Sequence, residues 1–433
     1  MRFVLRFLSA AALVCCAATA SVAGEVEVLH YWTSGGEAKS LEVLKRTMLD
    51  RGHEWKDFAV AGGGGESAMS VLKNRVLAGN PPSAAQIKGP DIQEWAKLKV
   101  LADLNSVAEF ENWDKLLPKV VADVMKYEGM YVAAPVNVHR VNWMWASSAV
   151  LKKSGITKAP TTWDEFFAAA DKVRAAGFVP LAHGGQNWQD FTVFESVVLG
   201  TGGSDFYKDA LVKLDPTALN SEKMRTALTT FRKLKSYTDA KSYGRDWNVT
   251  TAMVIQGQAG FQFMGDWAKG EFLAAGKAPG TDFICAAAPG TASAYTFNID
   301  SFAMFRLRNV EKQKAQGYLA ASIMGPKFQE TFNVNKGSIP VRMGVSLAKF
   351  DECAKASVRD FESTAKSGQL VPSVAHRMAI DSKKADAMQD TVSKFWNDDT
   401  ITPDQAMKSL AQLNAKPPAQ SASAPKKKEK AKV

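Results

Sequence analysis

Tyr31 and Trp32 close a strand-like run that begins at Val26, and Glu37 follows across the short loop Thr33-Ser34-Gly35-Gly36. Gln86 and Lys88 stand in the same relation to a later run, Ala84 to Ile87. A flat ring offers an apolar face to the C–H face of a pyranose, while carboxylate, ammonium and amide groups hydrogen-bond hydroxyls. An indole at a loop tip otherwise needs a reason to be there. The competing reading, Trp32 packed into a hinge or a core, fits this stretch equally well.

Other chemistries find less support. The run Gly62 to Gly65 has the look of a phosphate loop, but no Gly-Lys-Ser/Thr follows and Glu66 would repel a phosphate. A strand-to-helix turn explains it better. His30, His53, His139, His183 and His376 contain no pair at metal-ligand spacing, so neither a metal nor a cofactor is expected. There is no Gly-x-Ser-x-Gly elbow, and carboxylates are too common for one Asp/Glu pair to indicate a glycosidase.

These residues have to be held by regular elements. Leu41, Leu44 and Met48 recur at helical spacing after the first loop, and Met69, Leu72 and Val76 do so after the glycine run, with Gly79-Asn80-Pro81-Pro82 as a stop. Strand, loop and helix then repeat, which argues for α/β lobes with mostly parallel sheets. In such sheets the ligand crevice lies beyond the carboxyl ends of the strands, where Tyr31, Trp32, Glu37, Gln86 and Lys88 fall. Further on, helices are expected over Thr162 to Ala176 and Ser221 to Tyr237. The segments Tyr131 to Val138 and Tyr295 to Phe305 are the expected crossings between lobes.

The chain begins with Arg2 and Arg6, an apolar stretch from Phe7 to Ala20, and Ser21-Val22-Ala23, the pattern of a cleaved secretory leader over 1–23. An exported protein of this length is expected to form more than one lobe. Only Cys285 and Cys353 lie beyond the leader, and an oxidising compartment favours a disulfide between them, with two separately buried thiols as the alternative. The formal net charge of +10 comes largely from the leader and from the lysine-rich end, Lys426 to Lys432. It gives no reason to expect nucleic acid as a partner. The segment 416–433, rich in Pro, Ala, Ser and Lys, lacks the apolar residues to fold and is expected to be disordered.

Several stretches taken together resemble the solute-binding proteins of carbohydrate ABC importers, most closely the glucose and mannose binders of Gram-negative bacteria. They are YWTSGGEAKSL from Tyr31, VAGGGGESAMSVLKNRVLAGNPP from Val60, APVNVHRVNWMW from Ala134, MVIQGQAGFQFMGDW from Met253, FNIDSF from Phe297 and NKGSIPVR from Asn335. The resemblance covers nearly the whole chain to about residue 415, and the order and spacing of the stretches make it specific. It implies that Tyr31, Trp32 and Glu37 form one side of a sugar site with Gln86 and Lys88. It further implies a stacking role for Trp247, hydrogen bonding by Asp300, Lys336 and His376, and a lining or supporting role for Asp266 and Trp267. Relatives often carry two tryptophans where this chain has Tyr31-Trp32.

The resemblance also implies a two-lobed periplasmic-binding-protein fold, type II-like, with discontinuous lobes joined by a multi-strand hinge. The expected division gives 24–135 and 301–345 to the first lobe and 136–300 and 346–415 to the second. The implied protein is a periplasmic monomer, not an enzyme, that holds a monosaccharide such as glucose or mannose and delivers it to the transmembrane subunits of an ABC importer. An exported glycoside hydrolase and the same fold with a non-sugar solute are the alternatives.

Overall fold

Apolar side chains at every third or fourth position of helix Gly35–Leu49, notably Leu41, Leu44 and Met48, have no exposure to solvent beyond 2%. They share a core with Val26, Val28 and Leu29 of β1 (Glu25–His30), which pairs in parallel with β2 (Glu54–Ala59) on one side and with β3 (Ala84–Gln86) on the other. Helix Glu66–Leu77 follows β2 and opens at the end of the glycine run. There Gly65 has φ of 84°, a left-handed conformation that glycine adopts without strain. The structure is a computed structural model that describes residues 24–414. The expected leader, 1–23, and the expected disordered tail, 416–433, lie outside the described residues.

A small hairpin of β4 (Lys126–Tyr127) and β5 (Met130–Tyr131) leads into β6 (Ala133–Arg140) and β7 (Trp143–Ser147). The chain continues through β8 (Val179–Leu181), β9 (Ala259–Phe263), β10 (Phe283–Ala287), β11 (Tyr295–Met304) and β12 (Leu370–Pro372). Two large sheets result. The first has the order β12-β11-β3-β1-β2, with β6 also paired to β11, and the second has the order β10-β7-β9-β8. One apolar core surrounds the first sheet, with Val28, Leu44, Phe302 and Phe332 among its members, and another surrounds the second, with Phe166, Phe194, Phe231 and Trp396. A third cluster, containing Trp145, Trp188, Trp247, Trp267 and Phe272, lies beside the second sheet and includes Cys285 and Cys353. The fold is α/β with two lobes.

The expected helices form at Trp163–Ala175, where the Thr162 side chain accepts from the Glu165 N–H, and at Glu222–Lys235, where Ser221 accepts from Met224. The segments expected to cross between lobes are adjacent strands. β6 and β11 run antiparallel from the pair Phe297/Arg140 to Ala303/Ala133, with an irregularity between Asp300 and Ser301. Such irregularities re-aim side chains. Because β11 is long enough to pair with β12, β6 and β3 in turn, Tyr295, Phe297 and Ile299 belong to the first core. Phe350, Ala354 and Phe361 pack there as well.

Cys285 of β10 and Cys353, in helix Glu352–Ser367, are joined in a disulfide across 68 residues of sequence. Closing a loop of that size restricts the unfolded chain by up to about 4 kcal/mol in the chain-entropy account. Reducing the bond, or replacing both cysteines by serine, is therefore expected to lower the denaturant midpoint with the fold retained. An unchanged midpoint would show that the bond adds nothing to stability.

Candidate ligand-binding site

The carboxyl ends of β1 and β3, the β6–β11 pair and the third apolar cluster converge on one small chamber. Its walls are Tyr31, Trp32, Glu37, Gly63, Lys88, His139, Trp188, Trp247, Trp267, Asn298, Asp300, Lys336 and His376. Nine of the residues singled out from sequence meet here. Gln86 and Asp266 do not reach the wall and stand directly behind it. The chamber encloses about 20 Å³ of free space, room for about one water molecule. A wider recess of about 560 Å³ lies outside it and shares Gly63 and Trp188 as a partition.

Asp300 organises the charged side of the chamber. Its Oδ1 lies 3.0 Å from Lys88 Nζ, and its Oδ2 accepts from His139 Nε2 at 2.9 Å and from Asn137 at 3.2 Å. Burial alone would raise its pKa, but the Lys88 and His139 charges and the His139 hydrogen bond hold it well below the carboxylate range. His139 binds Asp266 through Nδ1, and Asp266 also accepts the Arg140 backbone N–H at 2.9 Å. Burial opposes a charge on His139, yet the two flanking carboxylates raise its pKa and favour the imidazolium. Gln86 ties the chamber floor together, accepting from the Tyr31 N–H at 3.2 Å and lying 3.5 Å from Asp300 Oδ1.

Glu37 forms a second pair. One oxygen accepts from the backbone N–H groups of Thr33 and Ser34, capping the first turn of its helix, and the other lies 2.8 Å from Lys336 Nζ. Lys336 is the last residue of helix Pro326–Lys336. Three cationic groups, Lys88, His139 and Lys336, thus face three carboxylates, Asp266, Asp300 and Glu37. The charges are matched within the protein.

The remaining walls are rings. Trp32 is wedged against Phe302 and Phe332, with centroids at 5.5 and 5.4 Å. Tyr31 lies beneath Lys88, and burial pushes its phenol pKa up to about 12. From the opposite side, Trp267 and Trp188 meet His376 edge-on at 4.7 and 5.6 Å. The close return of Trp267 over Gly265 leaves no room for a Cβ, which would lie 2.1 Å from the indole. Gly63 brings first-lobe backbone onto the indoles of Trp247 and Trp188, where a Cβ would lie 2.9 and 3.1 Å away. The glycine run acts here through close approach, a use that its sequence did not disclose.

From sequence, His139 figures only among the histidines without metal-ligand spacing and Gly63 only as part of a strand-to-helix turn, while Trp188 and Asn298 are not singled out. Asn298 had a usable signal, since it stands two residues before Asp300 on the same strand and so shares its face. Its side-chain oxygen is buried and lacks a hydrogen-bond partner among the described residues. A buried acceptor of this kind favours a donor from whatever enters the chamber. Ring faces, balanced ion pairs and an open acceptor suit a compact, uncharged molecule rich in hydroxyls.

The family profile described as bacterial extracellular solute-binding protein matches residues 54–306. The chain is 47% identical over 415 residues to a protein of Rhizobium meliloti (strain 1021) named "Probable sugar-binding periplasmic protein", covering 96% of this chain and 100% of that one. A protein of the same name from Brucella suis biovar 1 (strain 1330) is 49% identical over 390 residues, 90% of this chain and 92% of that one. Among solved structures, a chitin oligosaccharide binding protein superposes with a TM-score of 0.75 at 20% identity, over 90% of this chain and 98% of that one.

His376 offers a direct test of how dry the chamber is. Burial first, and then the nearby Lys88 and His139 charges, holds its pKa well below 6.5. In the unfolded chain the ring takes up a proton below about pH 6.5, whereas in the folded chain it stays neutral, so its contribution to stability is present above that value and lost as pH falls. His376→Gln should melt with a smaller drop than the parent protein between about pH 7.5 and pH 5.5. Equal drops would place the ring in contact with water.

Proposed function

The chain belongs to the bacterial extracellular solute-binding proteins, and on that premise we propose that it is the periplasmic sugar receptor of an ABC importer, holding one monosaccharide between its lobes. The names of the Rhizobium and Brucella relatives support a sugar as ligand. The ligand in this reading is glucose, or mannose or a related hexose, and the partners are the transmembrane subunits that receive it. The protein acts as a monomer. Residues 1–23 serve as its export signal.

One observation carries the reading furthest: the ionic groups around the chamber neutralise one another. An amino acid or polyamine would bring charge without a free counter-charge to meet it, and burying an unpaired charge is costly. A neutral hexose adds only hydroxyls, which can donate to Glu37, Asp300 and the open Asn298 oxygen and accept from Lys88 and Lys336. Trp32 from one lobe and Trp247 from the other supply ring faces. Its free space is too small for a pyranose, so the lobes must part to admit one. We place the hinge at β6 and β11, the first lobe around the first sheet and the second around the other.

A glycoside hydrolase is disfavoured by the same pairs. Its general acid must hold a proton near neutrality. Asp300 is held ionised, and Glu37 is engaged by Lys336 and two backbone N–H groups. The family, moreover, is one of binding proteins and not of enzymes.

Calorimetric titration of the purified protein with monosaccharides and short oligosaccharides tests the proposal, with saturable binding of one hexose per chain expected. Trp32→Ala and Trp247→Ala should each weaken it more than tenfold, because truncating a buried aromatic anchor typically costs about 2 kcal/mol or more. Normal binding by both variants would rule out the chamber. Binding confined to charged solutes would rule out the ligand class.

A further inference from the structure

Below the chamber, outside its wall, lies a carboxyl group with no exposure to solvent. Glu195 stands on helix Asn187–Tyr207, which also carries Trp188 and Thr192. Its Oε1 accepts from the Ser373 hydroxyl at 2.6 Å. Its Oε2 accepts from the backbone N–H of Val374 at 2.9 Å and of Ala375 at 3.3 Å, and from the Tyr207 hydroxyl at 2.9 Å. The Ser373 hydroxyl in turn accepts the His376 N–H at 3.1 Å. One carboxyl therefore holds, directly or through one hydroxyl, three consecutive backbone N–H groups of the turn that ends in His376. A second tie comes from Thr192, whose hydroxyl lies 3.2 Å from His376 Nε2.

Burying a carboxyl in an apolar core is unfavourable unless its oxygens are satisfied. Burial pushes the Glu195 pKa up to about 7 in spite of the hydrogen bonds from Ser373, Tyr207 and the backbone. A glutamine would fill the same space and its amide oxygen could still accept from the two N–H groups, so the geometry, rather than a full charge, fixes the turn. Core packing alone would be better served by an apolar residue at this position.

We propose that Glu195 is a positioning residue of the chamber, which sets the Ser373–His376 turn so that the His376 ring stands between Trp188 and Trp267. The assignment uses the sugar-binding reading only for the purpose of the ring. Its test needs no sugar. In the full-length protein with labelled histidine, the His376 ring resonances, identified by their loss in His376→Gln, are followed by NMR as pH is lowered. In the parent protein the ring should stay neutral to well below pH 6.5.

Glu195→Ala frees the turn and should move the ring titration up by about one unit or more, towards its value in water. Glu195→Gln should leave the titration close to the parent's. Ser373→Ala, which keeps the carboxyl and removes only the hydroxyl that bridges to His376, should shift it in the same direction as Glu195→Ala and decides the matter if that variant does not fold. An unshifted ring in folded Glu195→Ala, or in Ser373→Ala where the former is unfolded, would overturn the assignment. A shift in Glu195→Gln as large as in Glu195→Ala would also overturn it. Failure of the parent protein to bind any sugar in the calorimetric screen would count against the sugar reading and leave the ring measurement standing.

Discussion

A carboxylate at Asp300, on a strand shared by much of the first sheet and shut off from water, has to be neutralised by the chain itself. One charged side of the chamber follows from that constraint. Lys88 comes from the end of β3, His139 and Asn137 from β6, and Asp266 stands behind His139 to share its proton. Removing one member would leave another charge buried and unpaired, a loss that commonly exceeds the net worth of the pair. The chain of contacts from Asp266 through His139 and Asp300 to Lys88 thus binds the loop after β9 to β6, to β11 and to the end of β3.

Such matched charges suit a receptor that must release what it holds. The ion pairs lend their hydrogen-bonding capacity to a neutral guest without demanding a counter-ion from it. The apolar surface comes from rings on both sides, and the glycine backbone at Gly63 touches the opposing indoles directly. Contacts divided in this way are complete only when the lobes meet, and a ligand shifts a conformational equilibrium only by its differential affinity for the two states. In the proposed reading, closure of the lobes, rather than any single strong bond, carries the signal that the chamber is full.

The first side of the chamber was legible because its residues obey a local rule. Tyr31, Trp32, Glu37 and Lys88 follow strands whose helices show plain periodicity, and the carboxyl ends of such strands line crevices. Trp247, Asp300, Lys336 and His376 were reached only through the resemblance, since nothing in their neighbourhoods points to a shared chamber. Trp188 and Gly63 escaped because their roles exist only across the gap between segments far apart in sequence. Glu37 was read as a carboxylate for sugar hydroxyls, while its pairing with Lys336 depends on a helix end some 300 residues further along. The strand at Tyr295 to Phe305 was legible as an extended segment, but its three strand partners, β12, β6 and β3, lie far away in sequence and leave no mark on its own pattern.

Small-angle X-ray scattering with and without saturating hexose measures the central claim, that one sugar is held by two lobes at once. The account predicts a smaller radius of gyration with sugar present, and less compaction in Trp247→Ala at concentrations that still fill the first-lobe side. A profile unchanged by a sugar that calorimetry shows to be bound would contradict capture between the lobes.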